Sequence, residues 1–308
     1  MTLRNAAISR GWVPDATIES RAPDASASLT VGIDIGGTKI HAASYDATSD
    51  RLLEARRATD PSGGRAVLDQ VTEVVAELAG GRRPDAVVVG LPGVVDPRTH
   101  CLSEAPNLPG WDGFDVAAAL AEACGAPVTV ENDVNLAAWG EHAWTGLADL
   151  AFVAVGTGIG VGQVAGGRIV RGPDGAAGEV HDLPVGPDRV DLEAVVSGPA
   201  LARAYRERTG TTASAAQILA ATTTDLAARA AVDTLVDALS DLVHTIHRLT
   251  SPGAVVLGGG LGSRPGIARA VIGRLDARGG RRPVVRPSVL GSHAATFGAL
   301  DLGRGPGR

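Results

Sequence analysis

The sequence is poor in three kinds of residue. Aromatic residues make up only 3% of its 308 residues, Cys101 and Cys124 are its two cysteines, and Lys39 is the single lysine among 28 basic residues. Because aromatic side chains are rare, we expect small aliphatic residues to form the core. Two cysteines are too few for a disulfide framework and indicate a reducing compartment, which predicts a cytoplasmic protein.

Long apolar runs and clusters of like charge are also missing. Residues 1–28 contain no apolar stretch of the kind found in signal peptides, and we interpret them as a flexible tail. Residues 150–167 carry no charge, but their six glycines and alternating β-branched residues favour strands over a membrane helix. The formal net charge is −6, without a basic run. We therefore predict no membrane span and no nucleic-acid partner.

Hydrophobic residues and glycine are abundant instead. The hydrophobic fraction of 44% allows a large core, and the 41 glycines lack the G-X-Y period of collagen. Short apolar segments typical of strands alternate with segments whose apolar residues have helical spacing. This alternation predicts an α/β protein of two domains or of one large domain. The predicted strands are residues 29–35, 40–45, 86–91, 128–130, 151–155, 161–164 and 254–257. The predicted helices are residues 65–78, 116–124, 192–208, 225–249 and 267–275, with another that begins at Asn132 or Asp133.

A pattern of strand, glycine turn and strand occurs twice, at residues 29–45 and 151–164. The repetition suggests a duplicated α/β unit with a ligand cleft between its two lobes.

Glycine clusters follow three of the predicted strands, at residues 36–37, 156–160 and 258–260. Glycine lets backbone N–H groups approach a phosphate closely, although each cluster also fits a simple tight turn. Lys39 stands beside the first cluster, where its ammonium group suits a phosphate. Asp34 precedes the same turn, where its carboxylate fits either a metal-bound water or a turn-stabilising hydrogen bond.

Five motifs in this order resemble those of the ROK family, which contains sugar kinases and sugar-responsive repressors. The match covers residues 30–300. The motifs are Val31 to Ile40, Val130 to Asp133, Gly156 to Gly160, Gly175 to Glu179, and Gly258 to Gly260.

The resemblance implies an actin-like ATPase fold, which is ribonuclease H-like and has two α/β lobes with a ligand cleft between them. We expect a small lobe of residues 29–132 and 290–304, and a large lobe of residues 133–289. The resemblance also implies a homodimer, which is the usual oligomeric state in the family.

The activity implied is that of an ATP-dependent kinase that transfers the γ-phosphate to a hexose hydroxyl, with O6 the expected acceptor. Asp133 is the implied catalytic base, and Asp34 is implied to hold Mg²⁺ through water. The implied nucleotide-binding residues are Asp34, Gly36, Gly37, Thr38, Lys39, Gly156, Thr157, Gly158, Gly160, Gly258, Gly259 and Gly260. The implied sugar-binding residues are Gly93, Asn107, Asn132, Asp133, Glu179, Asp182 and Glu193. Asn132 and Asp133 are also good helix caps, and the two roles can coexist.

The sequence departs from the family in two places. The family's Gly-Glu-x-Gly-His is Gly178-Glu179-Val180-His181-Asp182 here, so that a carboxylate replaces the histidine. The cysteine-rich zinc knuckle that normally follows is missing, because residues 183–192 contain no cysteine and no histidine. We therefore predict no zinc site in this protein, and interpret His181 as a spacer or supporting residue.

Three carboxylates in one sugar site, at Glu179, Asp182 and Glu193, would repel one another unless a cation intervened. An amino sugar such as kanosamine or glucosamine supplies that cation. Alternatively, Asp182 bonds an ordinary hydroxyl, as of glucose, or pairs with an arginine. A C7-cyclitol kinase is a further alternative, and so is a non-catalytic sugar-responsive regulator. A DNA-binding repressor is disfavoured, since a winged helix-turn-helix needs more residues than the roughly 30 before Val31.

Overall fold

The computed structural model describes residues 2–12, 28–106, 108–111 and 113–305. The chain divides into two compact units. The first unit comprises Met1–Gly146, Gly166–Ala177 and His293–Arg308, and the second comprises Leu147–Ala165 and Gly178–Ser292. Each is a mixed α/β structure.

The bounds of the helices and strands are as follows. The helices are α1 Leu3–Ser9, α2 Gly64–Ala79, α3 Val116–Cys124, α4 Asp133–Thr145, α5 Gly198–Thr209, α6 Ala215–Ala221, α7 Leu226–Thr250, α8 Gly259–Gly262, α9 Pro265–Arg278 and α10 Ala294–Gly303, with short 3₁₀ turns at Leu192–Ala194 and Gly291–His293. The strands are β1 Leu29–Ile35, β2 Lys39–Asp46, β3 Arg51–Ala58, β4 Ala86–Leu91, β5 Val94–Val95, β6 Leu102–Ser103, β7 Val128–Asn132, β8 Leu150–Val155, β9 Ile159–Ala165, β10 Arg168–Ile169, β11 Pro184–Val185, β12 Val190–Asp191, β13 Ala254–Gly258 and β14 Val285–Pro287.

The main sheet of the first unit has the strand order β3-β2-β1-β4-β7. Strands β1, β2 and β3 are antiparallel neighbours, whereas β4 and β7 run parallel to β1. In the second unit the strands follow the corresponding order β9-β8-β13-β14, again with one antiparallel hairpin and two parallel additions. The duplication that the sequence suggested is therefore present in the strand pairing.

The two faces of strand β1 explain how the first unit is layered. Its alternating apolar side chains, including Val31 and Ile33, are buried against helices α2 and α3. On the opposite face, a Cβ built on Gly32 would lie 2.8 Å from the backbone nitrogen of Leu300. Helix α10 therefore lies directly on the backbone of β1, at a distance that only glycine permits.

Helices α4 and α10 approach each other equally closely. A Cβ on Gly140 of α4 would lie 2.3 Å from the carbonyl oxygen of Ala294, and a Cβ on Gly298 of α10 would lie 1.9 Å from that of Leu136. Both distances are shorter than real Cβ contacts, so both glycines are required for this crossing. Helix α4, which begins at Asp133, is thereby fixed in the core of its unit.

The second unit buries its core beneath the long helix α7. Asp225 caps this helix by accepting hydrogen bonds from the backbone nitrogens of Ala227 and Ala228. Buried α7 residues, such as Leu235 and Leu239, pack with strand residues of the same unit. Among the described residues, no helix is long and apolar enough to cross a membrane.

Two details of the secondary structure differ from the sequence-based expectations. The segment 192–208 is not one helix, because Ser197 is extended and caps a new helix that begins at Gly198-Pro199. Part of the predicted flexible tail is ordered: helix α1 buries Leu3, and Trp12 donates a hydrogen bond to Glu54. Residues 13–27 of that tail lie outside the described residues.

The boundary of the first unit also differs from the one predicted at residue 132. Helix α4 belongs to the first unit, which continues to Gly146. The physical reason is the close packing of α4 on α10, whose residues come from the far end of the sequence. Residues 166–177 belong to the first unit as well.

Candidate functional site

The parallel strands of the first unit carry the predicted site residues at one edge of the sheet. Asp34 pairs in register with Gly90, and Leu91 pairs with Asn132, so that β1, β4 and β7 end side by side. Gly93 lies just beyond β4, and Asp133 directly follows β7. Ligands of open α/β sheets bind at the carboxyl ends of parallel strands, which is where these residues lie.

The first glycine turn, Gly36 to Lys39, is closed by one hydrogen bond within the turn and anchored by a second from Thr59. The backbone nitrogen of Gly36 donates to the carbonyl oxygen of Lys39 at 2.8 Å, and the hydroxyl of Thr59 donates to that of Gly36 at 2.6 Å. Gly37, Thr38 and Lys39 are exposed. An exposed turn with a lysine at its end suits the recognition of a phosphate.

Asp34 is the half-buried carboxyl group beside this turn. Burial raises its pKa to about 6, and the nearby Lys39 ammonium acts in the opposite direction. A single carboxylate fits Mg²⁺, because this ion typically binds one or two carboxylates while keeping waters and substrate phosphates as its other ligands.

Asn132 and Asp133 form the start of helix α4. The side-chain oxygen of Asn132 accepts from the backbone nitrogen of Asn135 at 2.9 Å, while its amide donates to the carbonyl oxygen of Gly93 at 3.0 Å. Asn132 is thus a helix cap that also fixes the loop at Gly93, whose φ of 107° requires glycine. The Asp133 carboxylate accepts from the backbone nitrogen of Val134 at 2.8 Å and lies in the first turn, where the helix dipole favours negative charge.

Sequence reasoning missed Glu131, a buried carboxylate that accepts hydrogen bonds from the residues around Asp133. Its carboxylate is 4% exposed and accepts hydrogen bonds from the backbone nitrogen of Asn132 and the side chain of Asn135, both at 3.0 Å. Its second oxygen accepts from Nε of Arg171 at 2.5 Å. The sequence offered no signal for this pair, because Glu131 and Arg171 are 40 residues apart and the burial of Glu131 is visible only in the structure.

Gly90 was missed as well. A Cβ at this position would lie 2.9 Å from Leu136 and 3.5 Å from the Cα of Asp133. The missing side chain therefore lets the catalytic candidate approach strand β4. A glycine inside a predicted strand was the signal for such a close approach.

The glycine loops of the second unit lie beside each other. Strands β8 and β13 are parallel, with Ala154 paired to Gly258, so the loops at residues 156–160 and 258–260 follow neighbouring strand ends. A Cβ on Gly156 would lie 3.9 Å from the backbone nitrogen of Gly260. Gly259 has a φ of 75°, in the left-handed region that favours glycine. These loops offer main-chain groups and no charge of their own.

Glu193 lies against the same glycine loop. Its carboxylate accepts from the backbone nitrogen of Ile159 at 3.2 Å, and a Cβ on Gly158 would lie 2.3 Å from the carboxylate oxygen. The backbone nitrogen of Glu193 donates to the carbonyl oxygen of His181 at 3.0 Å. Thr157 and Gly160 occupy the same hairpin turn region.

The segment that replaces the expected zinc knuckle is a small hairpin. Strands β11 and β12 pair antiparallel, and the backbone nitrogen of Leu192 donates to the carbonyl oxygen of Leu183 at 2.9 Å. Main-chain hydrogen bonds thus join the Glu179–Asp182 segment to Glu193.

The predicted sugar-binding side chains of this segment differ in their surroundings. Glu179 is half-buried, and His181 lies 3.5 Å from its carboxylate. Asp182 is exposed and has neither a hydrogen bond nor an ion pair from its side chain to any described residue. The alternative in which Asp182 pairs with an arginine is therefore not found in the described part of the chain. Asn107 lies outside the described residues.

Two sheets of one strand order, each with a glycine turn in its first hairpin, define an actin-like ATPase fold. Solved structures confirm this class. The ROK hexokinase from Thermus thermophilus is 32% identical in sequence, and its structure matches with a TM-score of 0.77. The match covers 89% of this chain and 97% of the hexokinase chain. A ROK glucokinase from Streptomyces griseus, in complex with glucose and AMPPNP, is 29% identical with a TM-score of 0.78, covering 90% and 99%.

The chain belongs to the ROK family, whose sequence model matches residues 30–305. The family predicted from the five motifs is thus confirmed. Among curated proteins, a glucokinase from Streptomyces coelicolor is 31% identical over 313 residues, covering 90% of this chain and 98% of the relative.

Proposed function

We propose that this chain is an ATP-dependent sugar kinase that transfers the γ-phosphate to a hexose hydroxyl, with O6 as the expected acceptor. Its similarity to glucokinases and to a glucokinase bound to glucose and AMPPNP supports a sugar phosphotransferase that uses ATP. The single observation that carries the proposal is the common edge of β1, β4 and β7, at which Asp34 and Asp133 stand.

The proposed transfer assigns separate tasks to the residues at these edges. Asp133 accepts the proton of the attacking hydroxyl as its oxygen bonds to the γ-phosphorus and the bond to the β-phosphate oxygen breaks. Mg²⁺, when bound, neutralises phosphate charge, and the Asp34 carboxylate would hold it through water. The turn at Gly36–Lys39 and the glycine loops of the second unit offer backbone N–H groups, and Lys39 an ammonium, to the phosphates.

The proposed substrate is an amino sugar, such as kanosamine or glucosamine, rather than glucose. The support is the exposed carboxylate of Asp182, which no cation of the described residues neutralises. An ammonium group on the sugar would supply a charge-assisted hydrogen bond to it. Glu179 and Glu193 remain proposed sugar contacts, and a homodimer in the cytoplasm remains a prediction.

A sugar screen tests both the proposed kinase activity and the proposed amino-sugar substrate. ADP release is measured with ATP, Mg²⁺ and a panel of glucose, amino sugars and C7 cyclitols. We expect a higher kcat/KM for an amino sugar than for glucose, by about 10- to 100-fold if the ammonium meets Asp182. Asp182→His and Asp182→Asn should both erase that ratio, because both remove the negative charge.

The exposed Asp188, in the neighbouring hairpin turn, supplies the matched control. Asp188→Asn removes a nearby carboxylate and should leave the ratio unchanged. An amine-to-hydroxyl ratio that survives Asp182→Asn contradicts the amino-sugar proposal alone. No ADP release with any sugar contradicts the kinase proposal itself.

A further inference from the structure

A second cluster of ionisable side chains lies in the first unit, on strands β2 and β3 and the turn before α10. His41 of β2, Glu54 of β3 and His293 before α10 each direct a ligand atom into one group, with all three atoms within 4.8 Å of one another. Nε2 of His41 lies 2.8 Å from Oε1 of Glu54, and Nε2 of His293 lies 3.8 Å from the same oxygen. Among the described residues no other such group of three was found.

We propose that His41, Glu54 and His293 bind a divalent transition-metal ion of the zinc class. Two imidazoles and one carboxylate are a common ligand set for such ions. Around zinc, ligand atoms about 2.0 to 2.2 Å from the ion stand roughly 3.3 to 3.5 Å apart in tetrahedral geometry. The observed separations of 2.8 and 3.8 Å bracket this spacing, so small side-chain rotations suffice.

The groups around the three ligands hold them as supporting residues do in metal sites. Oγ1 of Thr296 lies 2.9 Å from Nδ1 of His41, and Trp12 donates to the second oxygen of Glu54 at 3.0 Å. A hydroxyl both donates and accepts, so Thr296 satisfies Nδ1 when Nε2 binds the ion. The Trp12 ring stacks on His293 with centroids 4.6 Å apart.

Arg56 already places a cation at this position. Its Nη2 lies 2.7 Å from Oε1 of Glu54 and 2.9 Å from Nε2 of His293. The His293 nitrogen therefore accepts a hydrogen bond and directs a lone pair into the cluster, as a ligand must. The Arg56 side chain is 57% exposed, so it can leave for water at little cost when a metal ion enters.

A bound ion would join four separate segments: β2, β3, the turn before α10 and, through Trp12, the residues after α1. The sequence-based prediction of no zinc site rested on residues 183–192, which lack cysteine and histidine, and the cluster of His41, Glu54 and His293 departs from that prediction. We expect the melting temperature to rise by roughly 5 to 10 °C at a free Zn²⁺ concentration about 100 times Kd.

The test is calorimetric titration of the purified full chain, free of any histidine tag, with ZnCl₂ in excess Mg²⁺ to occupy oxygen-only sites. We expect one Zn²⁺ per chain at this cluster. His293→Gln and Glu54→Gln should weaken it at least ~10-fold, since even the loss of a supporting group has that effect. Arg56→Gln should tighten it about two- to fivefold, because an exposed competing charge is removed.

His244→Gln, which removes a half-buried imidazole of α7 in the second unit, is the control and should change nothing. Circular dichroism establishes that each variant is folded. If His293→Gln fails to fold, the exposed Arg56 still provides the test. Coincident isotherms of the native chain and His293→Gln, or unchanged or weaker binding in Arg56→Gln, overturn the proposal.

Discussion

The two units repeat one strand order but place different chemistry at the ends of the corresponding strands. In the first unit Asp34 pairs with Gly90, and in the second Ala154 pairs with Gly258. The carboxylate of the first unit thus corresponds to a methyl group in the second. The glycines also differ in use: Gly90 makes room for helix α4, whereas a Cβ on Gly258 would meet the Phe152 ring at 2.0 Å.

The two units therefore share a strand order but differ in the groups at their strand ends, which are charged side chains in the first unit and main-chain groups in the second. The first edge carries the charged groups Asp34, Lys39 and Asp133, and the buried Glu131 accepts a hydrogen bond from the backbone nitrogen of Asn132 beside them. The second edge is formed by glycine loops, whose recognition chemistry is that of the main chain. Substitutions at both strand ends, and at the helix crossing that fixes α4, test this comparison.

The largest expected effect is that of Asp133→Asn. If the first edge supplies the proton acceptor, kcat should fall by roughly 10² to 10⁴ while sugar binding is retained. Steady-state kinetics and equilibrium binding of the sugar measure the two quantities separately. Turnover comparable to that of the native chain would remove Asp133 from the role of base.

The next effect concerns the crossing that fixes helix α4. Gly298→Ala places a methyl group against the backbone of Leu136 and should lower the free energy of unfolding by about 1 to 3 kcal/mol. Gly273→Ala, at an exposed position of α9 with open space around it, should instead raise it by about 0.5 to 1 kcal/mol. Urea unfolding measures both. Equal effects of the two variants would show that the crossing is not tightly packed.

The third effect is electrostatic and depends on pH, because it disappears in acid. The pKa of Asp34 is raised from 3.8 to about 6, so the stability tied to its protonated form is complete below pH 3.8 and is lost as pH rises through about 6. Asp34→Asn should therefore stabilise the fold by about 1 to 3 kcal/mol at pH 8, discounted for partial exposure, and less at pH 5.

The reciprocal variant Ala154→Asp introduces a carboxylate at the matching position of the second unit, without a neighbouring lysine. It should destabilise the fold at pH 8. Urea unfolding at pH 5 and pH 8 decides both variants. A stabilisation by Asp34→Asn that is equal at the two pH values would contradict the electrostatic argument.

Much of the fold could be predicted from the sequence where local signals agree. The strands Leu29–Ile35 and Ala86–Leu91 and the helix Val116–Cys124 have the predicted bounds, because each is an apolar run that ends at glycine or at a change of polarity. The family and the positions of its motifs were also available from the sequence. Asn132 as a helix cap was one of the two predicted roles, and the structure shows it.

The missed features depend on contacts between distant residues. Helix α10 is apolar on nearly all sides because β1, β4 and α4 surround it, so it lacks the periodicity of a surface helix. Glu131 and Arg171 are 40 residues apart in sequence, and nothing local indicates that they pair. The sequence does not reveal that the backbone of Leu136 approaches Gly298, and for Gly90 the one signal was a glycine inside a predicted strand.

The crossing of α4 and α10 also has a consequence for synthesis on the ribosome. Helix α10 follows the whole second unit in sequence, yet it packs on both α4 and β1 of the first unit. A nascent chain therefore exposes residues 147–292 before the first unit can close. We expect the second unit to fold first and the proposed kinase edge of the first unit to form last, which reverses the usual N-terminal-first order of folding during translation.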